Sequence, residues 1–111
     1  NKTMLHYKIM KRGNVKNYTE TEILNIVGNT LHESIDDIKS KSRKRNLVEC
    51  RFIYAYFCKN LMKKVTLTSI GEKINRDHSS IVHYIQKVYD YIETDNQFKN
   101  KIEIVNKNII L

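Results

Sequence analysis

The chain has 111 residues, of which 41% are hydrophobic and 29% are charged, and its formal net charge is +8. This length and composition are typical of one small globular domain with a single core. No apolar stretch approaches the roughly 20 residues that span a bilayer, and no signal-peptide pattern opens the chain, so we expect a cytoplasmic protein without a membrane partner.

The positive charge is concentrated in one stretch. Residues 39–64 carry nine basic residues and one acidic residue, so their net charge equals that of the whole chain. Residues 19–38, in contrast, contain five acidic residues and no Lys or Arg. Such a basic stretch favours a polyanionic partner. The alternative is a solvated, lysine-rich surface that binds nothing.

Residues 1–18 fit two local structures. Leu5, Tyr7 and Ile9 alternate as in a short strand, whereas Leu5, Ile9 and Met10 would equally suit a helical turn. Gly13-Asn14 then breaks either element. We interpret residues 1–18 as an N-terminal arm or short pre-helix, and residues 19–111 as the folded domain.

The next segment carries two helix-start signals. Thr19 and Glu22 have the spacing of a capping box, which predicts a helix over about 20–32. Ser34 can cap a short second helix, since two aspartates follow where the helix dipole favours acids.

Two longer helices follow from apolar residues at a 3.6-residue period. The first runs over about 46–62, with Arg51 and Lys59 off its apolar stripe, which comprises Leu47, Cys50, Tyr54, Phe57 and Leu61. The second ends the chain, and its stripe comprises Phe98, Ile102, Val105 and Ile109. We expect this last helix to pack across the domain, with a dimer seam as the alternative.

Between them, residues 66–92 have the pattern of a helix-turn-helix. The first helix of the pair has Leu67, Ile70 and Ile74 on one stripe, and the second has Ile81, Ile85, Val88 and Ile92. The polar residues between the two stripes can form the turn and the first turn of the second helix. A helix-turn-helix places those first residues against base edges in the major groove of DNA.

The candidate chemistry of an enzyme is missing from the sequence. His78 and His83 are five residues apart, so they do not share a helix face as paired zinc ligands would. Asp77, His78 and Ser79 are consecutive and cannot converge as a catalytic triad. Cys50 and Cys58 lie about 12 Å apart along one predicted helix, which is too far for a disulfide. We therefore expect no enzyme, no cofactor and no metal site.

Several strings in this order resemble the C-terminal DNA-binding domain of the replication initiator DnaA. They are Lys41-Ser42-Arg43-Lys44-Arg45, Ile70-Gly71-Glu72, Arg76-Asp77-His78-Ser79-Ser80-Ile81-Val82-His83, and Lys87. The resemblance covers roughly residues 19–95. It implies an all-α, Trp-repressor-like fold of about six helices around the helix-turn-helix, with one monomer bound per site. Ser79 and Ser80 stand where the family usually has two threonines, and the shorter Ile74-Asn75 replaces its Phe-Gly-Gly or Phe-Gly.

The resemblance implies roles for single residues. Asp77, His78 and Ser79 would read bases in the major groove, and Arg43 would enter the minor groove beside them. Contacts with the DNA backbone are implied for Lys44, Arg45, Arg51, Lys59, Lys64, Thr68, Ser80, His83 and Lys87. The plainer interpretations are an N-cap for Asp77, a surface histidine for His78, and phosphate contacts alone for the basic run.

The sequence holds no G-x-x-x-x-G-K-[ST] phosphate loop. We therefore expect a free-standing, nucleoid-associated homologue that binds double-stranded DNA at a DnaA-type box, in replication initiation, replication control or transcriptional regulation. One alternative is an interaction module for replication proteins. Another is a non-specific nucleic-acid binder, for which a steep salt dependence without sequence preference is typical.

Overall fold

The computed structural model describes residues 17–110, and within them it contains six helices and no strand. The helices are α1 (Glu20–Leu31), α2 (Ile35–Lys39), α3 (Arg45–Leu61), α4 (Leu67–Glu72), α5 (His78–Thr94) and α6 (Asn96–Ile110). The prediction of an all-α fold with a central helix-turn-helix is therefore confirmed for this range. Residues 1–16 of the N-terminal arm or short pre-helix predicted for residues 1–18 lie outside the described residues.

Both predicted helix starts in the N-terminal half are confirmed. The Thr19 hydroxyl accepts a hydrogen bond from the Glu22 N–H at 3.2 Å, and the Glu22 carboxylate accepts one from the Thr19 N–H at 3.0 Å. The Ser34 hydroxyl accepts from the Asp37 N–H at 3.0 Å, which opens α2. These bonds satisfy N–H groups that the first turn of a helix leaves without partners.

The core is built around α3, which packs against α1, α2, α4 and α5. The sequence predicted one apolar stripe on this helix, but every residue from 49 to 58 is buried. The prediction that Arg51 lies off the buried stripe is therefore wrong, since its exposed fraction is 3%. A helix surrounded by four others has no solvent face over its middle turns, and the rule of one stripe assumes such a face.

The last helix packs across the domain, as predicted. Its stripe of Phe98, Ile102, Val105 and Ile109 is at most 3% exposed, and α6 lies against α1 and α5. The Tyr18 hydroxyl donates to the carbonyl oxygen of Ile109 and so joins the two ends of the described chain. Because this stripe is used inside the domain, it is not available as a dimer seam.

The two cysteines are free and buried. Burial raises the pKa of the Cys50 thiol to about 12, and it raises the pKa of Cys58 as well. Both thiols therefore behave as small apolar side chains of the core rather than as nucleophiles.

Candidate nucleic-acid interface

The turn between α4 and α5 is held by close backbone contacts. The carbonyl oxygen of Gly71 accepts hydrogen bonds from the N–H groups of Ile74 at 3.0 Å and Arg76 at 2.9 Å. A Cβ atom on residue 71 would lie 2.2 Å from the carbonyl oxygen of Arg76, so the turn closes only around a glycine. The Ile-Gly pair of the sequence pattern thus sets the distance between the two helices.

Asn75 takes the one left-handed position of this turn, with a φ of 58°. Asparagine is among the few residues other than glycine that adopt this conformation readily. The departure from Phe-Gly to Ile74-Asn75 therefore keeps the backbone conformation that a glycine would allow, while Ile74 remains fully buried in the core.

The first residues of α5 combine a helix cap with an exposed polar surface. The Asp77 carboxylate accepts a hydrogen bond from the Ser80 N–H at 2.8 Å, which makes Asp77 the N-cap. Hydrogen bonds from Ser80 hold the pKa of this carboxyl below its usual value. Asp77, His78 and Ser79 are all exposed. The cap occupies only part of the carboxylate, so further acceptor capacity faces solvent.

Val82 extends this surface and was missed by the sequence reasoning. Its exposed fraction is 51%, the larger of the two values among the exposed large apolar residues of the described chain. It lies one helical turn beyond His78 and outside the buried stripe of Ile81 and Val88. Because Val82 lies outside the stripe, the helical period could have predicted that this apolar side chain faces outward.

Across from this helix lies the basic arm, which we define as residues 40–44. Lys41, Arg43 and Lys44 in it are exposed. A cleft of about 650 Å³ is lined by residues of both, including Arg43 of the arm and His83 and Tyr84 of α5. The arm follows a compact path, because the Ser40 hydroxyl accepts from the Ser42 N–H at 3.2 Å.

Arg51 lies beneath this arm rather than on the surface. Its guanidinium donates to the carbonyl oxygens of Ile38 at 2.7 Å, Ser42 at 2.8 Å and Ser40 at 2.9 Å. Burial lowers the pKa of Arg51, and the neighbouring charge of Arg76 lowers it further. A side chain enclosed in this way does not present its charge to a phosphate, so we leave Arg51 out of the contact set proposed below.

Arg45 is exposed but is already paired with acids. Its guanidinium lies 3.4 Å from the carboxylate of Glu49 and 3.0 Å from that of Asp95, and 72% of its side chain is exposed. Glu49 is buried and is also paired with Lys101 at 2.5 Å. Arg45 therefore helps to neutralise a buried carboxylate, which sequence reasoning alone did not indicate.

The other predicted backbone contacts are distributed over three helices and one turn. Lys59 is exposed near the end of α3, Lys64 is exposed in the following turn, and Thr68 is exposed on α4. On α5, His83 is exposed, while Ser80 and Lys87 are half-buried. Of this group, His83 shares the cleft with Arg43.

No helix in residues 17–110 is long and apolar enough to cross a membrane. Within the same range, no cluster of three or more His, Cys, Asp or Glu side chains has the geometry to hold a metal ion.

Comparison with known proteins gives one family and a consistent set of relatives. The sequence model of the family described as bacterial dnaA protein helix-turn-helix matches residues 21–88. The chromosomal replication initiator protein DnaA of Lachnoclostridium phytofermentans is 36% identical over 97 residues, which are 86% of this chain and 21% of that protein. The proteins of the same name from Ureaplasma parvum and Flavobacterium psychrophilum are 39% identical over 82 residues and 32% identical over 90 residues. These matches cover 73% and 80% of this chain but only 18% and 19% of the relatives. The chain thus spans about a fifth of the length of the curated relatives it matches.

Proposed function

This chain belongs to the family of bacterial DnaA helix-turn-helix domains, and we propose that it binds double-stranded DNA at a short asymmetric box of the DnaA type. Its relatives bear the name chromosomal replication initiator. We place the chain, by extension, in replication initiation, replication control or transcriptional regulation at such boxes.

One observation carries this proposal. Three polar side chains at the start of α5 are exposed together, directly after a turn whose geometry depends on Gly71 and Asn75. The first turn of the second helix is the part of a helix-turn-helix that reaches base edges. An acid at this position would weaken binding to phosphates, so its presence on a basic protein needs a cap or a base partner, and one carboxylate can serve as both.

The three exposed side chains at the start of α5, which we call the readers, can each form contacts with base edges in the major groove. The Asp77 carboxylate can accept a hydrogen bond from a cytosine amino group. His78 can donate to a purine acceptor or pack on a thymine methyl group, and the Ser79 hydroxyl can donate or accept. Val82 adds an apolar contact for a thymine methyl group.

The basic arm supplies the second part of the interface. An exposed arginine on a short linker, such as Arg43, suits the narrow and electronegative minor groove of A/T-rich DNA. Contacts with phosphates would then fix the register of the protein without carrying sequence information. The proposed phosphate contacts are Lys44, Arg45, Lys59, Lys64, Thr68, Ser80, His83 and Lys87.

Fluorescence anisotropy with two duplexes tests this function. One duplex carries a DnaA-type box and the other a scrambled sequence of the same composition, each at low and near-physiological salt. We expect a preference for the box of about 10³ or more, because each correct base contact adds to a common electrostatic affinity. Equal affinities that decline together with salt would indicate a non-specific binder instead.

A variant of Asp77 separates these two outcomes further. Asp77→Ser removes the negative charge and keeps a side chain that can cap α5. A specific reader loses affinity for the box by about 1–3 kcal/mol in this variant, whereas a non-specific binder gains affinity for both duplexes.

A further inference from the structure

Arg76 is the one residue of the Arg-Asp-His-Ser-Ser string to which the DNA-binding proposal gives no role. We propose that Arg76 is a positioning residue that, together with Arg51, fixes the basic arm against the helix-turn-helix turn. Arg43 is thereby presented at a set distance from the readers on α5. This inference rests on the proposed function, since it assigns a task to a side chain within the same interface.

The contacts of Arg76 connect three parts of the domain. Its guanidinium donates to the carbonyl oxygen of Ser40 in the arm at 2.7 Å and to that of Ile74 in the turn at 2.9 Å. Its Nε donates to the Tyr84 hydroxyl on α5 at 3.2 Å. One side chain therefore joins the arm, the turn and the recognition helix.

Arg51 holds the same stretch of backbone from the other side. The carbonyl oxygen of Ser40 accepts from Arg51 at 2.9 Å as well as from Arg76, and the carbonyl oxygen of Ser42 accepts from Arg51 at 2.8 Å. Ser40 and Ser42, which both precede Arg43 in the arm, are thus tied to α3, although the Arg43 side chain itself stays exposed.

The preceding helix explains why most partners of these two arginines are backbone carbonyl groups. α2 has only five residues, and its last carbonyl groups carry the negative end of the dipole. The Ser40 N–H donates to the Asp37 carbonyl oxygen at 3.1 Å, and the following carbonyl groups need other donors. The oxygens of Asp37, Ile38 and Lys39 accept hydrogen bonds from Arg51 or Arg76. The two cations therefore serve as the C-terminal cap of α2 and fix the start of the arm.

This arrangement has a consequence for binding. A loose arm would lose conformational freedom when it entered the minor groove, and that loss would weaken binding. An arm that is already fixed avoids it. Because Arg76 immediately precedes Asp77 in the chain, the major-groove readers and the arm share one anchor point.

The geometry favours positioning over direct phosphate binding for Arg76. The side chain is half-buried, and its donors are directed at oxygens of the protein. A phosphate contact would require some of these hydrogen bonds to break. Lys73, in contrast, is exposed at the end of α4 and carries the same charge.

The first test follows the arm in the free protein. Limited trypsin digestion probes this path, because we expect cleavage after Lys41, Arg43 and Lys44 to require the backbone of the arm to leave it. We expect Arg76→Gln to accelerate this cleavage by about 10-fold, since hydrogen bonds to a charged group that oppose local opening are lost, while the matched charge change Lys73→Gln leaves the rate unchanged. Equal cleavage rates in the wild type and Arg76→Gln would overturn the proposal. Circular dichroism is used to check that both variants are folded. If Arg76→Gln is not folded, Arg76→Lys provides a milder variant.

The second test measures DNA binding in a double-mutant cycle with Arg43→Ala. If Arg76 acts through Arg43, Arg76→Gln reduces the preference for the box in the wild type and causes no further loss in the Arg43→Ala protein. If Arg76 contacts a phosphate, Arg76→Gln weakens binding to both duplexes in both backgrounds and lowers the salt slope by about 0.9. The second result would overturn the proposal.

The two tests separate this inference from the function on which it rests. A wild type without any preference for the box would refute the proposed function. Cleavage of the arm in the free protein would still decide whether Arg76 fixes it.

Discussion

Tyr54 and Tyr56 lie two positions apart on α3, both fully buried, and they differ in one hydrogen bond. The Tyr54 hydroxyl donates to the carbonyl oxygen of Ile70 at 2.7 Å and so ties α3 to the first helix of the helix-turn-helix. The Tyr56 hydroxyl has no hydrogen-bond partner among the described residues. Its ring packs edge-on against Phe57 and Tyr89.

Removing the hydroxyl group from each of these tyrosines should affect the free energy of unfolding in different directions. Tyr54→Phe should lower the free energy of unfolding by about 1–2 kcal/mol, because a buried hydrogen bond is lost. Tyr56→Phe should be neutral or raise it by about 1 kcal/mol, because a buried hydroxyl without a partner is removed. Urea unfolding of the two variants measures the difference. An equal loss in both variants would contradict the difference in hydrogen bonding between the two hydroxyl groups.

Gly71→Ala should destabilise the domain even though alanine favours helices. The gain in helix propensity is about 1 kcal/mol. The added Cβ would lie 2.2 Å from the carbonyl oxygen of Arg76. Because that oxygen belongs to the backbone, it cannot rotate away as the end of a side chain could. We expect a net loss of about 1–3 kcal/mol or more. Thr68→Ala on the exposed side of the same helix is the control, and urea unfolding should show little change for it.

Asn75 offers a test of the turn conformation. Asn75→Ala should lower the free energy of unfolding by about 1 kcal/mol, because alanine tolerates the φ of 58° poorly. Asn75→Gly should retain the wild-type stability or exceed it, since glycine adopts this conformation without strain. Thermal and urea unfolding of both variants provide the measurement. A more stable alanine variant would contradict the left-handed assignment.

The cap at Asp77 should give the domain a dependence on pH. Because hydrogen bonds from Ser80 lower its pKa in the folded state, the carboxylate stabilises the fold above its ordinary pKa of 3.8. That stabilisation is lost as the pH falls through the lowered folded value. In Asp77→Asn the amide still caps α5 but does not titrate. The stability of the wild type relative to this variant should therefore decrease on acidification below about pH 4. A constant difference from pH 7 to pH 3 would refute the cap.

Much of the fold could be predicted from short-range patterns. Thr19, Ser34 and Asp77 each cap a helix, and such caps depend on residues three positions apart. The stripes of α5 and α6 followed from a period of 3.6 residues. These features are local, and their physics is contained within one or two helical turns.

The contacts of two arginines could not be predicted in this way. Arg45 pairs with Asp95, which is 50 residues away, and Arg51 donates to carbonyl oxygens of the α2 end and the arm. Every residue has a backbone carbonyl group, so the sequence does not show which of them will accept a hydrogen bond from an arginine. An arginine that binds them therefore cannot be distinguished by sequence from an exposed one. The sequence pattern therefore predicted an exposed Arg51, although the side chain is buried in the fold.

Base-pair replacements in the DNA show which groove each part of the interface reads. When an inosine–cytosine pair replaces an A·T pair, the hydrogen-bonding groups of the major groove change, but no amino group is added in the minor groove. A G·C pair changes the major groove in the same way and also adds the guanine amino group to the minor groove. Single A·T pairs of a DnaA-type box are replaced by each kind of pair, and affinity is measured by anisotropy.

We expect a different response at the two positions. Within the bases facing α5, inosine–cytosine should weaken binding about as much as G·C. Beside the basic arm, only G·C should weaken it, and Arg43→Ala should abolish that sensitivity. Binding that ignores both replacements at every position would contradict sequence recognition by this domain.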